Sequence, residues 1–297
     1  FSNKRFSAFQ SCYVNKGTPT HSELCWGLSS LSLTWWSLME GLSLERTFTG
    51  HDSVVNSVAY APGMKQAFSG GSDGSLMLWN FRPQLRSYRL RGHSGAVTSI
   101  AVSPDEGLVV SASIDHTIRL WTPSVKGTCN MFKAHAGSVL SVDFSDCAGM
   151  LLSSGSDKMV KLWDITGAKS GKRPTFLWCI RAHNNWVRSV HLSQGSLRVA
   201  SGGDDKLVKV WDTKTCKEIS CFSDHSKPVK TVRFDPLSGV CVASGSEDGT
   251  ISLGDFRSKQ IVQHYALKTH ASVNCIRFHP SGNYLLVSSH FHILYLI

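Results

Sequence analysis

A repeat constrains this chain more than any other feature. Ser-x-x-x-Asp, followed six residues later by Trp, occurs four times and ends at Trp79, Trp121, Trp163 and Trp211. A fifth copy, Ser244 to Asp248, reaches Gly254 where the Trp would fall. A His stands 22 residues before each of the first four Asp, at His51, His93, His135 and His183, and His225 stands 23 before Asp248. Successive His spacings are 42, 42, 48 and 42, then 45 to His270. Such a period means an array of one supersecondary unit, each copy burying its apolar face against the next.

The unit itself reads as four short strands. In the first copy, Val55 to Tyr60 is a β-branched and aromatic run, and Pro62-Gly63 is a turn signal. Ala67 to Gly70 is a second strand, Asp73-Gly74 a tight turn, and Leu76 to Trp79 a third strand. Ser87 to Leu90 follows as a fourth, after Arg82-Pro83. Short strands at this spacing, with Gly, Pro and Asp between them, predict an all-β chain. No window carries an apolar helical period of useful length.

A Ser, a His and an Asp in each unit invite comparison with a hydrolytic triad. A nucleophile is needed once, at one special geometry, whereas five such sets at one period are a device of the fold. No catalytic residue is therefore assigned. Nine Cys, at positions 12, 25, 129, 147, 179, 216, 221, 241 and 275, form no Cys-x-x-Cys pair. They read as small hydrophobes or free thiols, with no metal set and no cofactor expected. The net charge of +10 permits an acidic partner without choosing one. The densest basic run, Lys169 to Arg173, fills the insertion that lengthens the third spacing to 48. It reads as a solvated loop, with a polyanion contact as the minority reading.

Both ends depart from the repeat. Residues 1–43 carry no repeat signal and begin with Phe. Their apolar stretch near Trp35-Trp36 is broken by Ser and cut by Glu40, so it falls short of the ~20 residues a bilayer span needs. The expectation is a segment that is disordered or extraneous to the array. A sixth unit begins at Thr269, but HFHILYLI at 290–297 supplies neither the Asp nor the Trp, and is read as a divergent tail. Residues 44–289 thus hold five units and part of a sixth.

Gly-His openings and Trp-Asp closings, as at Trp163-Asp164 and Trp211-Asp212, resemble the blade of the WD40 β-propeller. The expected fold is all-β, a propeller with five recognisable blades plus part of a sixth, from a family expected to have seven. Seven blades would need about 50 residues more than the array holds. The resemblance implies hydrogen-bonded tetrads: His51, Ser69, Asp73 and Trp79; His93, Ser111, Asp115 and Trp121; His135, Ser153, Asp157 and Trp163; His183, Ser201, Asp205 and Trp211. His225, Ser244 and Asp248 make an incomplete fifth set, weakened by Gly254. A Trp restored there is expected to stabilise the blade if its geometry is otherwise normal.

Finer phrases narrow the resemblance. PQLRSYRLRGH at 83–93, NWVRSV at 185–190 and HPSGNYL at 279–285 resemble the centriolar WD-repeat family called proteome-of-centriole protein one. That resemblance implies a non-enzymatic scaffold of the centriole, centrosome and cilium basal body. Its partners would be centriolar proteins, with microtubules as a further candidate, and no small-molecule substrate or membrane; nucleic acid is disfavoured. The alternative is a WD40 adaptor of another complex, such as a ubiquitin-ligase substrate receptor or an RNA-processing factor. Family members also carry a linker and a helical C-terminal segment that have no counterpart in this sequence. Propellers of this type bind partners at positions three and five after each His, and at the residue before each Asp. Blades four and five offer Trp186, Arg188, Pro228 and Lys230 as partner-binding candidates, since Trp and Arg are enriched at interface hot spots. The competing reading pairs Arg188 with Asp204 or Glu247.

Overall fold

The computed structural model describes residues 22–24, 47–61, 63, 65–82, 84–105, 107–123, 129–267, 270–290 and 294–296. Five antiparallel sheets of four strands follow one another along the chain. Blade 1 runs Val55–Tyr60, Gln66–Gly71, Ser75–Asn80, Tyr88–Arg91. Blade 2 runs Val97–Val102, Val109–Ser113, Thr117–Trp121, Cys129–Lys133. Blade 3 runs Val139–Phe144, Met150–Gly155, Met159–Asp164, Thr175–Arg181. Blade 4 runs Val187–Leu192, Arg198–Gly203, Val208–Asp212, Glu218–Phe222. Blade 5 runs Val229–Phe234, Cys241–Ser246, Thr250–Asp255, Gln260–Ala266. A sixth sheet holds Val273–Phe278, Leu285–Ser289 and Leu294–Leu296. The first strand of each blade lies beside the first strand of the next. This is the expected all-β propeller, with each motif Trp on a third strand.

Strand alternation explains how one sheet serves two neighbours. Leu151 faces back into a cluster with Val110 and Ile118 of blade 2, whereas Leu152 faces forward into one with Val187 and Val190 of blade 4. The same pattern joins blades 4 and 5 through Val210 and Val232, and blade 5 to the sixth sheet through Ile251 and Ile276. The apolar core therefore lies between blades. Each fully buried Val, Leu or Ile contributes about 1.5–3 kcal/mol. Where blades meet most closely the second strand carries Gly: a Cβ on Gly70 would lie 2.4 Å from Val97 Cγ1.

The inner strands are tied by side chains that reach the exposed backbone of the next blade. The hydroxyl six residues after each of the first four motif His accepts an amide: Ser57 from Ile100 N at 3.1 Å, and Ser99 from Val142 N at 3.4 Å. Ser141 accepts from Val190 N at 3.4 Å and Ser189 from Val232 N at 3.2 Å. Two positions on, Asp143 accepts from Leu192 N at 2.8 Å and His191 Nδ1 from Phe234 N at 3.2 Å. An edge strand left with bare amides invites aberrant pairing, and this seam covers those edges.

Two findings differ from the sequence reading of the ends. Ser22–Leu24 forms a strand antiparallel to Phe48–His51. The rest of residues 1–43 lies outside the described residues, and with it most of the expectation placed there. Leu294–Leu296, read as part of a divergent tail, is the third strand of the sixth sheet and pairs with Leu286–Ser288. Its backbone pairs without the motif Asp and Trp, because ladder hydrogen bonds need no particular side chain. The insertion is also more than a solvated loop. Ala168 is buried in the cluster between blades 2 and 3, and Lys169 bonds to Asp105 of blade 2.

Candidate functional site

The tetrad residues converge in four blades. In blade 3 the Trp163 indole N–H donates to Ser153 Oγ at 2.9 Å. His135 Nε2 lies 2.8 Å from that hydroxyl, and its Nδ1 lies 2.9 Å from Asp157. Blade 1 repeats this with Trp79 to Ser69 and Ser69 to His51, both at 2.7 Å, and His51 to Asp73 at 3.2 Å. In blade 2, Trp121 lies 2.9 Å from Ser111, and His93 lies 2.7 Å from Ser111 and 2.9 Å from Asp115. In blade 4, Trp211 and His183 each lie 2.9 Å from Ser201, and His183 lies 2.8 Å from Asp205. One tautomer satisfies every atom: Nδ1–H donates to the carboxylate, Nε2 accepts the Ser O–H, and Ser Oγ accepts the indole. The carboxylate then caps the loop, accepting Ala136 N at 3.1 Å and Met159 N at 3.2 Å in blade 3.

Blade 5 departs from this pattern. His225 Nε2 keeps Ser244 at 2.8 Å, but Nδ1 meets Thr250 Oγ1 at 2.9 Å, with Asp248 at 3.6 Å. Thr250 in turn donates to Asp248 at 2.5 Å. The hydroxyl two residues after the Asp recurs as Ser75 and Thr117, each 3.3 Å from its His. Sequence reasoning passed over this position; Ser or Thr two residues after the motif Asp was the signal available.

The missing Trp of blade 5 has left no void. A Cβ on Gly254 would lie 2.8–3.0 Å from the ring of Phe222. Phe222 stands three residues before His225, where Phe132 stands before His135, and Phe132 packs edge-on to Trp163 at 4.8 Å. In blade 5 the phenyl ring occupies the indole's place, so the condition for a stabilising Trp is not met. Gly254→Trp should lower Tm by a few degrees through overpacking. Adding Phe222→Leu should restore it, since Leu90 and Ile180 share clusters with Trp121 and Trp211 from that position. Thermal melts of the two variants check this; a single variant that melts higher than the parent overturns it.

The tetrads also set a pH response. Burial pushes His93, His135 and His225 below the ordinary imidazole value of 6.5, outweighing their Asp neighbours. Burial raises the Asp115 and Asp248 carboxyls, but hydrogen bonds, chiefly from Thr117 and Thr250, outweigh it and hold both at about 2. A depressed His makes the unfolded chain the better proton binder below 6.5, so stability present above that pH is lost on acidification. The depressed carboxylates remove more as pH falls from about 4 towards 2. Tm should therefore be level above pH 7 and fall in two stages below it. Burial raises Asp143 to about 6, which opposes part of the first stage. A Tm that rises between pH 7 and 5 in an Asp143→Asn background would contradict the neutral tautomer.

Above the tetrads lies the rim where the loops after each His meet the turns before each Asp. The residue three after each His accepts the amide of the residue before the Asp: Trp186 O from Asp204 N at 2.9 Å, Pro228 O from Glu247 N at 3.0 Å. Trp186 is 45 % exposed, with the Arg188 guanidinium 5.1 Å over its ring. Arg188 forks onto Asp204 at 2.6 and 2.9 Å. Hydrogen bonding to Asp204, outweighing burial and helped by nearby Glu247, raises its pKa. Lys230 pairs with Glu247 at 3.1 Å. Trp186, Arg188, Pro228 and Lys230 do share this rim, but both cations are matched by acids. It is a charge-balanced aromatic patch rather than a basic one, as the competing reading expected for Arg188.

Among the described residues no group of His, Cys, Asp and Glu could hold a metal ion, and no helix is long and apolar enough to cross a membrane. The family model of the WD domain, G-beta repeat (WD40) matches residues 42–80, 84–122, 127–164, 174–212, 216–255 and 261–293. POC1 centriolar protein homolog A of Xenopus tropicalis is 50 % identical over 50 residues, 17 % of this chain and 11 % of that protein. Its counterpart in Danio rerio is 43 % identical over 53 residues, 18 % of this chain and 13 % of the relative. POC1 centriolar protein homolog B of Danio rerio is also 43 % identical over 53 residues, 18 % of this chain and 11 % of the relative. The matched stretch thus spans 11–13 % of the length of these relatives.

Proposed function

This chain belongs to the WD40 family, the WD domain with G-beta repeats, and from that premise we propose that it is a non-enzymatic scaffold of the centriole. Relatives named as centriolar proteins support the setting. The motif Ser, His and Asp groups are engaged in tetrads in blades 1 to 4 and in a Thr250-bridged set in blade 5, all behind the rim, which leaves the blades as a frame for protein contacts. Action at the basal body and cilium, and contact with microtubules, extend the same reading. The carrying observation is Trp186: a large aromatic, nearly half exposed, held in place by a guanidinium that is itself fixed by a carboxylate. A rigid aromatic of this kind is the usual centre of a binding hot spot.

The test is a single substitution. Reversing Arg188 would set like charges beside Asp204 and Glu247 and would report on folding. Trp186→Ala removes a half-exposed ring and its stacking on Arg188, and should lower Tm by no more than a few degrees. Recruitment of a fluorescently tagged chain to centrioles should fall about tenfold or more. A wild-type chain that gathers elsewhere in the cell overturns the centriolar setting. A wild-type chain at centrioles with an unaffected Trp186→Ala overturns the assignment of this rim.

A further inference from the structure

The insertion between the third and fourth strands of blade 3, and the outer strand that follows it, make a second surface on the circumference. The loop is built to hold its shape. Ala168–Ser170 forms a 3-10 turn closed by Gly171 in the left-handed region at φ 82°. Lys172 N bonds back to Gly167 O at 3.1 Å, and Ser170 Oγ to the same carbonyl at 2.9 Å. Buried Ala168 and the Lys169 bond to Asp105 anchor it across the blade 2 boundary. Lys172 and Arg173 are displayed from this fixed turn, exposed, with no ion-pair partner among the described residues.

Next comes Thr175–Arg181, the outer strand of blade 3. Phe176 to Ile180 is five residues without a charge, on the open edge of a sheet; blade 5's outer strand, Gln260–Ala266, is uncharged too but has no cationic insertion before it, and blades 1, 2 and 4 place Arg89, Lys133 and Glu218 there. The register slips between Leu162 and Trp163, so Leu177 is a bulge with no cross-strand partner. Leu177 is 46 % exposed and Phe176 53 % exposed. Phe176 is not loose: its ring stands edge-on to Trp163 at 5.5 Å. Arg181 is exposed at the far end. From Gly167 to Ala182 the chain carries four cations and no acid.

We propose that this apolar centre with cationic ends is a docking surface for an acidic segment of a partner protein that carries an aliphatic or aromatic anchor. The anchor would sit on Leu177 and Phe176, and the flanking carboxylates would meet Lys172 and Arg173 on one side and Arg181 on the other. Charge decides against a second copy of this chain. Antiparallel pairing of two such strands sets Lys172 and Arg173 opposite Arg181, and parallel pairing sets like on like. A nucleic acid would find few cations and an aliphatic bulge between them, where a phosphate track wants repeated basic contacts. The surface is independent of the Trp186 rim, so either can fail alone.

The probe is a short fluorescein-labelled peptide, Asp-Glu-Asp-Val-Phe-Val-Leu-Asp-Glu-Asp, titrated with the whole chain and read by anisotropy. Saturable binding tighter than about 1 mM is expected. Lys172→Glu with Arg173→Glu should weaken it about tenfold or more, and Leu177→Asp by a similar factor. Both changes lie on exposed side chains, and unchanged melts establish that the fold persists. The same peptide with Lys and Arg at its ends should not bind. Absence of saturable binding, or binding unchanged in the double variant, overturns the proposal. So does a single-stranded oligonucleotide that binds more tightly than the peptide and ignores Leu177→Asp, which would mark a polyanion surface. So does a concentration-dependent dimer in sedimentation that Leu177→Asp abolishes, which would mark self-pairing.

Discussion

Replacing Trp163 with alanine should cost about 3–5 kcal/mol of folding stability. The side chain is only 8 % exposed and belongs to the cluster that joins blades 2 and 3, with Val142, Phe144, Leu151 and Ile165. Its removal deletes contact with Phe132 at 4.8 Å and Phe176 at 5.5 Å, and takes a donor from Ser153. How far the site can collapse sets the value within that range. Blade 5 shows the collapse in finished form, with Phe222 in the indole's place beside Gly254. If Phe132 swings inward likewise, the cost falls at the low end. Urea denaturation measures it, and a loss below about 1 kcal/mol would mean that the indole is dispensable.

Asp157→Ala should cost about 1–3 kcal/mol. It strands a buried imidazole N–H and a part-buried amide, and takes the acceptor of an exposed amide that water can serve. His135 Nδ1 is buried and loses its acceptor, and the amides of Ala136 and Met159 lose theirs. Blade 3 has Met159 where blade 5 has Thr250, so no hydroxyl stands ready to replace the carboxylate. Asp248→Ala should cost less, since Thr250 Oγ1 already meets His225 at 2.9 Å. The comparison is made by parallel denaturation of the two variants. The reverse order would show that the carboxylate acts mainly through the loop amides rather than through the imidazole.

The repeat made the architecture legible, because a motif His, Ser, Asp and Trp at fixed spacing can meet only if the intervening strands fold the same way each time. The third-strand position of Trp79, Trp121, Trp163 and Trp211 followed directly. Local spacing said nothing of contacts made between units. Ser57, Ser99, Ser141 and Ser189 are unremarkable polar residues in a strand until the next blade's amides are placed beside them. Phe222 was equally opaque: a gap in a motif reads as a loss, and only the three-dimensional neighbour shows that it has been filled. Arg188 lies on the rim, and its fork onto Asp204 is one of the two pairings that the sequence offered for it. Leu294–Leu296 pairs in the ladder although its sequence carries neither the motif Asp nor the motif Trp.

The hydroxyl seam between inner strands carries a further implication for how such a chain can be assembled. At each of the four junctions among blades 1 to 5, one partner contributes a serine side chain, while the other contributes a main-chain N–H, which every residue except proline owns. The joint is therefore indifferent to the identity of the incoming neighbour. A unit that brings its own serine needs no matched polar partner on the far side, so only the apolar packing between blades has to be kept complementary. Modules joined in this way can drift in sequence, as the Gly254 blade has, while the fastening between them stays the same.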